Sequence, residues 1–215
     1  MKNNIVLIGM PGVGKSTVGV ILAKILGYRF LDTDLVIQET EKRLLREIIA
    51  AEGVDGFIAA ENRIVSGVSA EKSVIATGGS VVYGEDAMRN LSENGTVVYF
   101  RLDYEELTKR LGNIRNRGVV IRSGQTLADL YAERVPLYEK YADITIDESG
   151  CGVEETVQKA VKAINEAMNR PLPALTAFFR HTGMALKMLS RTLVSDSTMK
   201  IRPSINTAAS AISQL

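Results

Sequence analysis

Short aliphatic runs alternate with helix-period segments over the first 168 residues. Ile5-Val6-Leu7-Ile8 carries no polar residue and ends at Gly9, as expected of a strand buried on both faces. A glycine-rich turn follows, then 16–26 in helical period with Gly27 placed as a C-cap. Residues 28–31 form the next strand candidate, and 34–69 read as helices broken around Glu52-Gly53. The strand pattern returns at 73–76, running into Thr77-Gly78-Gly79, and is clearest at 96–101 (T-V-V-Y-F-R). Helical patterns cover 86–92, 103–111 and 126–141, the last interrupted by Pro136. Residues 112–124 are polar, arginine-rich and punctuated by glycine, so they read as a loop. A last strand at 144–146 precedes an amphipathic helix at 153–168.

Five strands alternating with helices predict an α/β fold: a parallel five-stranded sheet flanked by helices, three layers deep. Arg170-Pro171-Leu172-Pro173 punctuates its end, which divides the chain into a domain at 1–169 and an extension at 170–215. The extension predicts a helix at about 174–194, with Leu175, Phe178, Phe179, Thr182, Leu186, Leu189 and Leu193 on one face, then irregular chain. Charge separates the two parts. The whole chain of 215 residues carries a formal +1, yet the extension holds six basic residues against Asp196 alone. No global field recruits nucleic acid. The basic, amphipathic tail offers a face for self-association, for a partner, for an anionic surface, or for the domain's own flank.

Composition narrows the chemistry further. With an apolar share of 46% and a charged share of 24%, the chain reads as an ordinary globular protein. Cys151 and His181 are each the only residue of their kind, which removes internal disulfides, cysteine clusters and multi-histidine metal sites; both read as structural or exposed. The N-terminal apolar run is too short for a signal peptide, and no stretch reaches membrane-spanning length, so a cytoplasmic location is expected.

The glycine-rich turn carries the strongest chemical signal. Gly9-Met10-Pro11-Gly12-Val13-Gly14-Lys15-Ser16 matches G-x-x-x-x-G-K-[ST] between a buried strand and a helix. Backbone N–H groups of such a loop, here around Gly12, Val13, Gly14 and on through Lys15, Ser16 and Thr17, turn inward around phosphate oxygens. Lys15 is expected to reach the terminal phosphates and Ser16 to ligate Mg²⁺. Two aspartates in the apolar stretch F-L-D-T-D-L-V-I complete the reading. Ligands of a parallel sheet sit beyond the strands' carboxyl ends, and the first three such ends carry the phosphate loop, Asp32 with Asp34, and Thr77-Gly78-Gly79. Asp32 is then placed to hold Mg²⁺ and Asp34 to meet the attacking hydroxyl. The structural alternative is that Asp32 ends the strand and Asp34 caps the next helix.

These pieces together resemble shikimate kinase, within the nucleoside-monophosphate-kinase group of P-loop folds. The resemblance covers about 4–168 and rests on I-G-M-P-G-V-G-K-S-T-V-G at 8–19, L-D-T-D at 31–34, A-T-G-G at 76–79, V-V-Y-F at 97–100 and E-R-V-P-L-Y-E-K-Y-A-D at 133–143. It implies transfer of a phosphoryl group from ATP to a hydroxyl of shikimate, with Mg²⁺. It further implies that Asp34 binds the acceptor's hydroxyls, that Gly78 and Gly79 line its pocket, and that Arg134 pairs with its carboxylate. Arg117 is implied to reach the phosphates from a mobile lid, and Arg110 to stack on adenine. For Arg134 the alternative is a helix-surface ion pair with Glu133 or Glu139.

The chain departs from the family pattern in three places. Ile58 stands where an F-R-x-x-E segment supplies a second arginine to the shikimate carboxylate, although Glu61 remains. Ser80 replaces the third glycine of G-G-G, and Arg117-Gly118-Val119-Val120 replaces R-P-L-L in the lid. A charge-assisted pair to a carboxylate contributes about 1.5–3 kcal/mol, so Ile58 predicts weakened binding of an acid unless Arg63 or Arg115 substitutes. Ile58 therefore keeps open a same-fold kinase acting on another polyhydroxy or amino-acid metabolite. A non-catalytic nucleotide-binding regulator is the third reading, against which the intact Lys15, Ser16, Asp32, Asp34 and Arg117 set argues.

Overall fold

The computed structural model describes residues 2–111, 121–122 and 124–168; the predicted helix at 174–194 lies outside them, as does most of the loop at 112–124, Arg115 and Arg117 included. Five strands, β1 (Asn4–Ile8), β2 (Arg29–Asp32), β3 (Ser73–Ala76), β4 (Gly95–Arg101) and β5 (Ile144–Asp147), pair in the order β2-β3-β1-β4-β5. Every pairing is parallel. All five residues of β1 are buried, because it is the central strand and helices cover both of its faces. That burial is why its sequence is unbroken aliphatic rather than alternating.

Helix α1 (Lys15–Leu26) packs on β2 and β3 and against the last helix, α7 (Val153–Ala167). It ends as predicted at Gly27, whose N–H donates to Ala23 O. The other layer is built from α2 (Thr33–Glu41), α3 (Leu45–Ser66) and α4 (Glu85–Asn94), with a 3-10 turn at Val81–Tyr83 before α4. After β4, α5 (Tyr104–Leu111) leads toward the loop, and α6 (Leu127–Tyr141) returns from it. A reciprocal cap between Thr126 and Asp129 starts α6, which continues through Pro136 as one element. Among the described residues no helix is long and apolar enough to cross a membrane.

The helical stretch after β2 differs from the sequence reading. It breaks at Lys42, which takes a left-handed φ of 55°, as well as bending at the predicted Gly53. Gly53 has φ 74° and ψ −178°, a combination essentially closed to residues with a Cβ, so the two halves of α3 meet at a kink. The second half turns Phe57, Ala60, Glu61, Ile64 and Val65 inward. Glu61 thereby lands in the core, at a stripe position where the helical period otherwise puts apolar residues.

A Cβ at Gly53 would meet no atom within 4 Å, so strain there is purely conformational. Gly53→Ala is expected to destabilise the protein by about 1–3 kcal/mol, read as a lower urea midpoint at unchanged slope. An unchanged midpoint would mean that the kink relaxes at no cost.

Candidate active site

The loop after β1 wraps through three glycines with positive φ (Gly9 144°, Gly12 82°, Gly14 102°), so that its backbone can close on itself before α1 begins. Val13 is buried beneath it, and Thr17 sits half-buried in the first turn of α1. Lys15 is only 7% exposed, and its ammonium donates to Gly9 O at 2.8 Å and Met10 O at 2.9 Å. Burial lowers its pKa to about 8; Asp34 and Glu148 oppose the fall, Arg134 adds to it, and Asp32 opposes it more weakly.

Asp32 closes β2 and serves two neighbours at once. One carboxylate oxygen accepts from the Asp34 N–H at 3.0 Å, capping α2, and the other accepts from the Ser16 hydroxyl at 2.8 Å. The cap is therefore Asp32, not Asp34 as the structural alternative had it, and the Asp34 side chain is left for the site. A hydroxyl and a carboxylate of hard oxygen, side by side at the phosphate loop, are the donor set Mg²⁺ uses when it keeps waters and binds phosphate. Among the described residues no group of three or more acidic, histidine or cysteine side chains is placed to hold a metal ion.

The carboxyl end of β3 completes the rim. A Cβ on Gly78 would lie 2.6 Å from Glu61 Oε1 and 2.8 Å from Asp34 Oδ1, so the two carboxyls approach this glycine together. A Cβ on Gly79 would lie 2.8 Å from Pro11 Cδ and 3.1 Å from Arg134 Nη1. The absence of side chains at these two positions is thus what lets α2, α3, α6 and the phosphate loop converge. Gly79 O accepts from the Tyr138 hydroxyl at 2.6 Å, tying α6 to the same corner.

Arg134 is 1% exposed, which overturns the helix-surface alternative. Its Nε donates to the Tyr83 hydroxyl at 3.2 Å, and its guanidinium carbon lies 5.2 Å from the centre of the Tyr83 ring. Burial raises Asp34 to about 6, Asp32 raises it further, and Lys15 pulls it back. Glu61, 1% exposed, is pushed up to about 7, chiefly by burial. Ser80, Arg134 and Lys15 work against that rise and Asp34 adds to it, although neither Glu61 oxygen has a hydrogen bond of ordinary geometry.

Arg110 lies at the other flank. It donates to Val13 O at 3.4 Å, to Glu148 Oε2 at 3.2 Å and to Cys151 O at 3.4 Å, so α5 is anchored against the phosphate loop. Buried Glu148, raised to about 7 by burial against the pull of Arg110, follows directly on β5. Arg63, one of two arginines considered as a substitute for the missing clamp, does not reach the site: it is exposed and pairs with Glu41 at 2.6 Å. Sequence reasoning passed over Tyr83, Glu148 and the burial of Glu61. For Glu61 a signal existed, since Phe57, Ala60, Glu61, Ile64 and Val65 follow one helical stripe.

Comparison with known proteins agrees with this geometry. A family profile described as shikimate kinase matches residues 11–165. Shikimate kinase 2 of Yersinia enterocolitica is 36% identical over 156 residues, covering 68% of this chain and 87% of its own length. Among solved structures, a shikimate kinase from Acinetobacter baumannii in complex with shikimate superposes with a TM-score of 0.69 at 32% identity, covering 77% of this chain and 94% of that one. The enzyme from Aquifex aeolicus gives 0.66 at 30% identity, over 76% and 98%. Fold, rim and relatives agree, and the chain belongs to the shikimate kinase family of ATP-dependent phosphotransferases.

Proposed function

We propose that the protein transfers the γ-phosphoryl group of ATP to a hydroxyl of shikimate, as a cytoplasmic enzyme. One observation carries the reading. Asp34 and Arg134, a carboxylate and a buried guanidinium, bracket the side-chain-free Gly78-Gly79 pair on the rim that carries Lys15. A small ligand with hydroxyls at one end and a carboxylate at the other fits that arrangement. The relatives, one of them solved with shikimate, support the same acceptor and do not favour another metabolite. Membership of an enzyme family also sets aside the non-catalytic regulator.

Phosphoryl transfer asks a protein for positioning and charge neutralisation rather than covalent work. The loop from Gly12 to Thr17 holds the phosphates through backbone N–H groups, with Lys15 supplying positive charge. Ser16 and Asp32 hold Mg²⁺, which when bound neutralises phosphate charge. Asp34 orients the acceptor hydroxyl and takes its proton. Gly78 and Gly79 leave room for the acceptor ring, and Arg134 holds its carboxylate. Arg110 flanks the nucleotide. Arg117, outside the described residues, is assigned to close over the phosphates and exclude water.

Glu61 has a supporting part in this account. A buried carboxyl beside Asp34 would repel it if both were ionised, so a protonated Glu61 leaves Asp34 as the site's base. Its proton is held in the folded protein up to about pH 7 but is lost near 4.5 in the unfolded chain. The stability that proton confers is present in full below 4.5 and lost as pH rises through about 7.

Three outcomes are expected. Coupled ADP release should depend on shikimate at millimolar concentration, and Asp34→Asn should lower kcat about 100-fold or more with the KM for ATP little changed. No shikimate-dependent turnover in the wild type would sink the proposal. The kcat/KM for the acceptor should rise with pH through about 6 as Asp34 ionises and fall above about 8 as Lys15 loses its charge; a flat profile between 5 and 9 would remove both assignments. In urea unfolding, Glu61→Gln should gain about 1–3 kcal/mol on the wild type between pH 5 and pH 8, whereas a constant difference would mean that Glu61 titrates normally.

A further inference from the structure

Arg134 on its own gives a planar carboxylate one guanidinium, and Ile58 contributes no second charge from α3. Among the described residues a second guanidinium reaches the same place. Arg122, just before α6, has its guanidinium carbon 5.9 Å from the centre of the Tyr83 ring, the ring that Arg134 approaches at 5.2 Å and binds through its hydroxyl. Two guanidinium groups thus gather on a single aromatic side chain at the acceptor end of the rim.

The position of Arg122 is built rather than incidental. A tight turn fixes its backbone: Gln125 N–H donates to Arg122 O at 3.0 Å, and Arg122 N–H donates to the Gln125 side chain at 3.3 Å. The Gln125 amide in turn donates to Glu133 at 2.6 Å, and Thr126 caps α6 immediately afterwards. The guanidinium reaches across to α3, donating to Asp55 at 2.8 Å and to Glu133 at 3.5 Å. Asp55 lies three residues before Ile58, one helical turn away on that helix. Arg122 therefore spans the flank on which Ile58 leaves no charge.

We propose that Arg122 is the second carboxylate-binding residue of the acceptor site, acting with Arg134 beside Tyr83. This inference rests on the reading of the acceptor as a carboxylate-bearing polyol. The present partners of Arg122 are easily exchanged. Asp55 has a side chain 83% exposed, and solvent-exposed ion pairs contribute little. A ligand carboxylate held between two guanidinium groups offers stronger, charge-assisted bonds. Asp55 holds the arginine extended toward α3 until the acceptor arrives.

The test is steady-state kinetics with shikimate and with its methyl ester, which lacks the charge. Arg122→Gln should raise the KM for shikimate at least ~10-fold while changing kcat and the KM for ATP less than about twofold. With the methyl ester, wild type and variant should have the same KM. Adding Ile58→Arg to Arg122→Gln should recover most of the loss. If Arg122 only staples the loop to α3, Asp55→Asn would raise the KM for shikimate as much as Arg122→Gln does, which would overturn the inference. A KM for shikimate in Arg122→Gln within about twofold of a normally active wild type would overturn it alone. A wild type without shikimate-dependent turnover would instead overturn the functional reading, and this inference with it.

Discussion

The parallel pairing of β2, β3 and β1 is the constraint on which the rest depends. Its register sets Asp32 beside Ala76 and Ala76 beside Leu7, so the three strands end within one residue of each other. The residues immediately beyond those ends are the phosphate loop, Asp34 and Gly78-Gly79. A slip in register would move each strand end by a residue and turn its side chains to the other face. The phosphate loop, Asp34 and the Gly78-Gly79 pair would then no longer share a rim. The central place of β1 gives the loop a floor buried on both sides, which is how a segment of flexible glycines holds a fixed shape.

That rim concentrates charge where burial makes charge costly. Lys15 is held below its ordinary pKa, while Asp34, Glu61 and Glu148 are all held above theirs, in each case with burial as the largest cause. The groups limit one another's shifts: Lys15 draws Asp34, Glu61 and Glu148 downward, and Asp34 and Glu148 hold Lys15 up. Buried groups poised in this way are common at functional sites because their protonation can change near neutral pH. Arg134 belongs to the same network and is held by Tyr83 and against Gly79. Ser80 is buried beside Glu61 and leans it toward the ionised form. The replacement of a third glycine by serine thus has an electrostatic consequence inside the site.

Much of the architecture was legible because it depends on local periodicity. All five strands and the helices between them follow from apolar runs, turn residues and caps, and the phosphate loop from a motif whose mechanics are contained in eight residues. Asp32 and Asp34 were legible as a pair because the strand before them is short and their position at its end is unambiguous. Their division of labour was not, since whether one aspartate or the other caps α2 depends on side-chain direction. The break at Lys42 escaped notice because neither glycine nor proline marks it. Arg63 looked as suitable a cation as any, and only the packing of α3 against α2 sends it to Glu41.

By itself, then, the chain determined the class of fold, the nucleotide-binding loop and the candidate base, because each is written in residues close together in sequence. The tertiary structure alone decided which side chains gather at the proposed acceptor end. Gly78 and Gly79, Glu61, Tyr83, Arg122 and Arg134 come from separate elements, and their meeting depends on the kink at Gly53, the strand order and the return of α6 against the 3-10 turn. The proposed binding of a small acid requires charges converging from several directions. No local pattern encodes that convergence, because the energy that enforces it is the burial of surfaces far apart along the chain.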